Sequence, residues 1–141
     1  MIIVDTSGLL AAIDSSQRRH VEAAVALRAA GEPRLLSPFV LAELDYLLAT
    51  RVSAGASRAF LGEVANGAYQ LEAFDQDDVG RAVAVLEQYR DLDLGLADAS
   101  MVVLAERHDT RDILTLDQRH FRAVLGPRRR PFRLLPGDGA G

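Results

Sequence analysis

Apolar and polar positions along the chain alternate between two periods: short apolar runs, and longer stretches whose apolar positions repeat at helical spacing. Ile2 to Asp5 predicts a strand, and Ser7 to Ile13 a short helix. His20 to Ala30 has the pattern of an amphipathic helix ended by Gly31, with Pro33 beyond it as a stop signal. Arg34 to Ser37 predicts a second strand. Ser37 and Pro38 then read as an N-cap followed by proline at the first helical position, opening a helix to about Arg51. Ser53 to Asn66 predicts another helix, closed by Gly67, and Tyr69 to Phe74 alternates like a strand. Asp75 to Tyr89 is helical, with Asp75, Asp77 and Asp78 where the helix dipole favours negative charge. Leu96 to Arg107 predicts a helix, Asp112 to Leu116 a strand, and Phe132 to Leu135 a last strand.

Strands separated by helices need crossover connections. They imply an α/β fold with a mostly parallel central sheet of about four to five strands, covered on both faces. Ligands in such folds sit outside the carboxyl ends of the strands, and Asp5 and Asp117 both fall at such ends. At 141 residues the chain reads as one domain over 1–136, with a flexible glycine-rich tail at 137–141. No apolar stretch approaches the roughly 18 residues of a membrane span. The start lacks a basic segment followed by a long apolar one, so no signal peptide and a cytoplasmic location are expected.

Composition narrows the chemistry. The chain has no cysteine, which excludes disulfides, thiolate catalysis and cysteine-held zinc. All 16 basic residues are arginine, so no mechanism can rest on a lysine, and every cationic contact is a guanidinium suited to phosphate. The plain reading of that bias is codon composition. The net charge of −4 is uneven: 8 Arg face 15 acids over 1–100, and 8 Arg face 5 acids over 101–141.

Most of the acids sit on polar helix faces or in turns, and four do not. Asp5 ends the run IIV; it either caps the next helix or presents a charge at the sheet edge. Glu43, in PFVLAELDYLL, lies beside the Val40, Leu44 and Leu47 stripe. There a carboxylate needs a cation, a hydrogen-bond network or a rim position. Asp98 falls in the first turn of an otherwise apolar helix, where it suits the dipole, although Asp93 could serve the helix start instead. Asp117 follows DILTL and could be a further N-cap. In a parallel sheet these places share one edge. Carboxylates gathered there repel one another unless a cation neutralises them. A hard divalent ion with oxygen ligands is the natural solution. Two ions about 4 Å apart can activate water and stabilise the leaving oxygen of a phosphodiester.

The segments VDTS, LAELDYLL, LGLADAS and ILTLDQRHF, in this order from Asp5 to about Phe121, resemble the PIN-domain nucleases. More narrowly, they resemble the VapC-type toxins of bacterial toxin–antitoxin pairs. The resemblance implies a PIN-like three-layer α/β/α fold and an endoribonuclease dependent on Mg²⁺ or Mn²⁺. It places Asp5, Glu43, Asp98 and Asp117 around the metal, with Asp5 and Asp98 as the firmest ligands and Asp117 acting directly or through water. It gives Thr6 or Ser7 the task of orienting a ligand or water. It further implies an RNA substrate, a small VapB-like antitoxin and a homodimer. Tyr46, Phe60 and Leu61 are apolar enough to offer a groove to an amphipathic partner helix, or simply to fill the core.

Two other functions compete. A phosphotransferase or receiver domain also places an aspartate after its first strand, but such sites pair it with a lysine, and the dehalogenase-type pattern wants an acid where Ser7 stands. A non-catalytic binding module of the same fold would not need Glu43 in an apolar helix. PGDGAG lacks the strand and helix of a phosphate loop. PRRRPF, at 127–132, is either a solvated turn or a contact for RNA phosphates. His20, His108 and His120 show no metal-ligand spacing; His120, close after Asp117, could touch a substrate but reads first as a surface residue.

Overall fold

The computed structural model describes residues 1–139. Five strands form one parallel sheet: β1 (Ile2–Val4), β2 (Arg34–Leu36), β3 (Gln70–Leu71), β4 (Asp112–Leu114) and β5 (Arg133–Leu135), in the spatial order β3-β2-β1-β4-β5. Ile3 registers with Leu35 on one side and Ile113 on the other. Seven helices are present among the described residues: α1 (Thr6–Ile13), α2 (His20–Ala30), α3 (Pro38–Arg51), α4 (Ala54–Ala65), α5 (Gln76–Gln88), α6 (Leu96–His108) and α7 (Gln118–Phe121). The chain walks outward from β1 to β3, returns to the other side of β1 at β4, and ends at β5. Right-handed crossovers then set α1 to α4 on one face of the sheet and α5 to α7 on the other. The expected α/β class and parallel sheet are thus what the chain adopts.

β1 is buried on both faces, as are Ile113 and Leu114 of β4 and Leu35 and Leu36 of β2, and the core forms around them. Continuous apolar runs rather than alternation mark these strands, as expected for a sheet covered on two sides. The outer strand is shorter than its sequence suggests. Alternation over Tyr69 to Phe74 predicts a full strand, yet only Gln70 and Leu71 pair with β2; Glu72 N–H still donates to the Leu36 carbonyl at 2.9 Å, while its side chain goes to α6. Glu72 is buried there against His108 and Arg107, which also reaches Asp78 at 2.9 Å. The β4 ladder likewise stops at Leu114, two residues before its expected end.

Two local devices fix the edge where strands end. Ser37 caps α3 by accepting from Phe39 N–H at 3.2 Å, and its hydroxyl meets that of Ser100 on α6 at 2.7 Å, both fully buried. This pair ties the start of α3 to α6. Gly8 lets α1 lie against β4: a Cβ there would stand 2.4 Å from the Leu114 carbonyl oxygen, a contact with unyielding backbone.

The far edge of the sheet is blunted by the chain itself. Asp138 accepts from Leu134 N–H at 2.9 Å and from both terminal nitrogens of Arg122 at 2.6 Å. Those contacts hold its carboxyl at about 2, chiefly through Arg122. Asp138 is therefore anchored where the sequence predicts a flexible tail; residues 140 and 141 of that tail lie outside the described residues.

Gly8→Ala is expected to destabilise the protein by about 2–3 kcal/mol, since α1 must move off β4 to admit the methyl group. Urea unfolding should show a lower midpoint at an unchanged slope. An unchanged midpoint would mean that α1 does not depend on that close approach.

Candidate active site

The sheet reverses its order between β1 and β4, and the crevice of an open α/β sheet forms outside the strand ends at such a switch point. Here it is a cleft of about 580 Å³. Four short segments wall it: Asp5, Thr6, Ser7 and Leu10 from the start of α1, and Phe39, Glu43, Leu47 and Arg51 from α3. Gly95 to Asp98 line it from the start of α6, and Asp117 and His120 from the segment after β4. All six residues singled out from the sequence therefore face one cleft.

Asp5 sits at its floor. Its carboxylate does both things the sequence left open: one oxygen accepts from Thr6 N–H at 2.8 Å and caps α1, while the other accepts from the Thr115 hydroxyl at 2.7 Å. Ser7 Oγ lies 3.3 Å from the same oxygen and accepts from Leu116 N–H at 3.0 Å. The seam between β1 and β4 is thus closed over a carboxylate. Burial pushes Asp5 up from its ordinary value to about 6, against the bonds from Thr115 and Thr6, with repulsion from Asp98 and Glu43 adding to the rise.

Asp98 also has two roles. It accepts from Gly95 N–H at 3.2 Å, closing the first turn of α6, so Asp93 is not needed there. Its carboxyl is raised by partial burial and by the nearby charges of Asp117 and Glu43, with the Gly95 N–H and His120 opposing. Glu43 is exposed on the rim and makes no ion pair among the described residues, the rim position that the sequence allowed. Asp117 stands at the N-cap position of α7, but its side chain makes no capping bond, so its carboxylate stays in the cleft.

Two participants, Thr115 and Arg51, were not singled out from the sequence, and a third, His120, reads there first as a surface residue. Thr115 gives Asp5 its side-chain hydrogen bond across 110 positions of chain, and nothing local marks it. His120 is no surface residue: its Nδ1 lies 3.5 Å from Asp98 and 3.6 Å from Asp117, buried and without a hydrogen bond. Arg51 supplies the guanidinium of the cleft wall. Only the i, i+4 spacing from Glu43 through Leu47 to Arg51 could have pointed to it.

The donor set suits a hard divalent cation. It consists of carboxylate and hydroxyl oxygens, with no thiolate and a single imidazole. The Thr6 hydroxyl is buried without a partner at the floor, and the carboxyls of Asp5 and Asp98 are raised by burial first and then by the neighbouring acid charges. Among the described residues no three acid or histidine side chains converge as a closed cage. The acids ring the cleft instead, which suits an ion that keeps several waters and meets some of its carboxylates through them.

An open parallel sheet with acids around its switch point defines a class of protein, and comparison with known proteins names it. The family described as the PIN domain matches residues 2–125. Ribonuclease VapC26 of Mycobacterium tuberculosis is 43% identical over 123 residues, covering 87% of this chain and 91% of that protein. The crystal structure of Mycobacterium tuberculosis VapC20, described as a sarcin–ricin loop cleaving toxin, superposes with a TM-score of 0.77. It is 21% identical and covers 83% of this chain and 90% of its own. A toxin–antitoxin complex from Klebsiella pneumoniae gives a TM-score of 0.67 at 22% identity, covering 88% and 92%. The chain belongs to the PIN domain family, among its VapC proteins.

The raised carboxyl of Asp5 sets a stability test. Its folded value of about 6 exceeds the ordinary 3.8, so the native state holds the proton more tightly than the unfolded chain. Stability then falls as pH rises from about 4 to about 6, and the full penalty persists above that window. Asp5→Asn keeps partners for Thr6 and Thr115 without the charge. In EDTA at pH 7.5 it should be more stable than the parent by about 2 kcal/mol, and the gap should close as pH falls through the window. Equal melting at both ends of the range would show that the charge is not costly.

Proposed function

We propose that this protein is a metal-dependent endoribonuclease, the toxin of a VapBC-type toxin–antitoxin pair. One observation carries the reading: Asp5, Glu43, Asp98 and Asp117 ring a single cleft at the sheet's switch point, together with the unpartnered Thr6 hydroxyl. The relative that is 43% identical is named as a ribonuclease, and that supports RNA as the substrate. A phosphotransferase finds no lysine to pair with Asp5.

Asp5, Asp98 and Glu43 would hold Mg²⁺ or Mn²⁺, with Asp117 completing the site directly or through water. A divalent ion supplies positive charge at the phosphate and lowers the pKa of water for attack on phosphorus. The chain itself does the rest. Thr115, Thr6 and Ser7 fix the Asp5 carboxylate so that both its oxygens have set directions. The Thr6 hydroxyl is free to orient a water or a phosphate oxygen. His120 places an imidazole beside both Asp98 and Asp117.

The same proposal includes a small VapB-like antitoxin, a homodimer and a cytoplasmic setting. A solved structure of similar fold is that of a toxin–antitoxin complex from Klebsiella pneumoniae, which supports the antitoxin partner. Tyr46 and Leu61 lie exposed on α3 and α4 and can receive an apolar partner, whereas Phe60, grouped with them from the sequence, is buried in the core. Among the described residues no helix is long and apolar enough to cross a membrane.

The test is cleavage of RNA by purified, antitoxin-free protein in Mn²⁺ or Mg²⁺. Activity should vanish in EDTA and fall by about a hundredfold or more in Asp5→Asn and Asp98→Asn. Cleavage that survives EDTA would overturn the metal-site reading. Mn²⁺ binding that is absent in the parent as well as in Asp98→Asn would turn the reading to a non-catalytic module.

A further inference from the structure

The cleft is not uniformly acidic. Phe39, Glu43, Leu47 and Arg51 follow one another at four-residue intervals, so α3 presents them as one stripe along the wall. Glu43 belongs to the acid end. Arg51, eight residues further, stands about 12 Å along the helix axis. Leu47 lies between them, and Leu10 of α1 adds a second apolar side chain to the lining. Arg51 is exposed, and among the described residues it makes no ion pair and no side-chain hydrogen bond.

A free guanidinium at the end of a helix has a plain structural use, since it complements the negative end of the dipole. That use does not require it to line the cleft. A polyanion entering a cleft with four carboxylates needs a cation away from the reacting centre, and a guanidinium binds phosphate oxygens in a fork. Resting on the nuclease reading above, we infer that Arg51 is a substrate-binding residue that grips a phosphate flanking the scissile one. The single strand then runs along α3, its scissile phosphate among the acids and an intervening ribose or base over Leu47. Arg51 thereby sets which way the RNA lies in the cleft. The arginines at 128–130 do not line this cleft: Arg128 pairs with Asp109, and Arg128 and Arg129 line a separate hollow with Tyr89 and Glu106.

The experiment measures binding of a fluorescein-labelled, mixed-sequence single-stranded RNA 12-mer by anisotropy across a KCl series. Every protein carries Asp98→Asn so that the probe stays intact. Adding Arg51→Ala should weaken binding about tenfold. It should also lower the slope of log K against log salt by about 0.7, the loss of one phosphate contact on a single strand. Arg51→Lys should keep the slope and regain part of the affinity. Arg129→Ala, the control, should change neither. A loss of helix-dipole stabilisation alone would lower the melting temperature and leave the salt slope where it was. An Arg51→Ala slope equal to the control's overturns the inference while the nuclease reading stands on cleavage by the parent protein. If the parent neither cleaves RNA in Mn²⁺ nor binds the 12-mer at low salt, the nuclease reading falls and this inference falls with it.

Discussion

The rest of the molecule is arranged around one buried carboxylate. Asp5 lies where β1 ends, almost wholly enclosed, with its two oxygens held by Thr6 N–H and the Thr115 hydroxyl. Burying a charge without a fixed counterion is costly, and the rise of its carboxyl to about 6 is that cost in another form. Hydrogen bonds to the ionised form keep the cost tolerable, and they must come from two places in the chain. One is the start of α1. The other is the end of β4, which is why β4 has to lie beside β1 and why Gly8 must let α1 come against Leu114. The sheet order and the close approach of α1 both serve this one anchor.

A second constraint follows. Asp98 raises Asp5, and Glu43 and Asp117 raise Asp98, so the acids are coupled through the cleft although each is held by a different element. Their spacing is set by buried polar ties: Ser37 to Ser100 between α3 and α6, and Ser7 to Thr115 between α1 and β4. Hydroxyl pairs of this kind add little net stability, but leaving one partner unmet in the core costs more than the pair is worth. They fix position rather than add cohesion. The neighbouring charges oppose the ionisation of Asp5 and Asp98, and the polar ties keep the backbone from relieving that opposition by drifting apart.

Much of this was legible in the sequence, and the boundary is a physical one. Elements whose signals are local read correctly: Ser37-Pro38 opens α3, Gly31 ends α2, and uninterrupted apolar runs mark the buried strands. β3 read too long because its alternation continues past Leu71, where pairing has already stopped and the side chain of Glu72 is taken up by a long-range contact with α6. The four acids were found because each looks misplaced where it stands. Thr115 looks ordinary where it stands and matters only through a partner distant in sequence, while His120 drew notice only for its place close after Asp117 and its nearness to Asp98 appears only in the fold. The pairs of alternatives for Asp5 and Asp98 could not be separated from sequence because they are not alternatives. Each caps a helix and faces the cleft with the same carboxyl group.

That double use explains how a fold can carry an acidic site at modest cost. The starts of α1 and α6 both point into the cleft, and helix N-termini favour negative charge. Asp5 and Asp98 occupy those two N-termini, so part of the repulsion between them is offset by backbone N–H groups that any helix would present there. Glu43 and Asp117 lack that support. Glu43 sits in the second turn of α3 on the rim, and Asp117 makes no capping bond. The site is therefore graded. Two acids are built into the ends of the helices and cannot move without unwinding a turn, while two are held only by their place on the wall. A ligand that neutralises the cleft can shift the second pair at low cost and leave the first pair where the fold puts it.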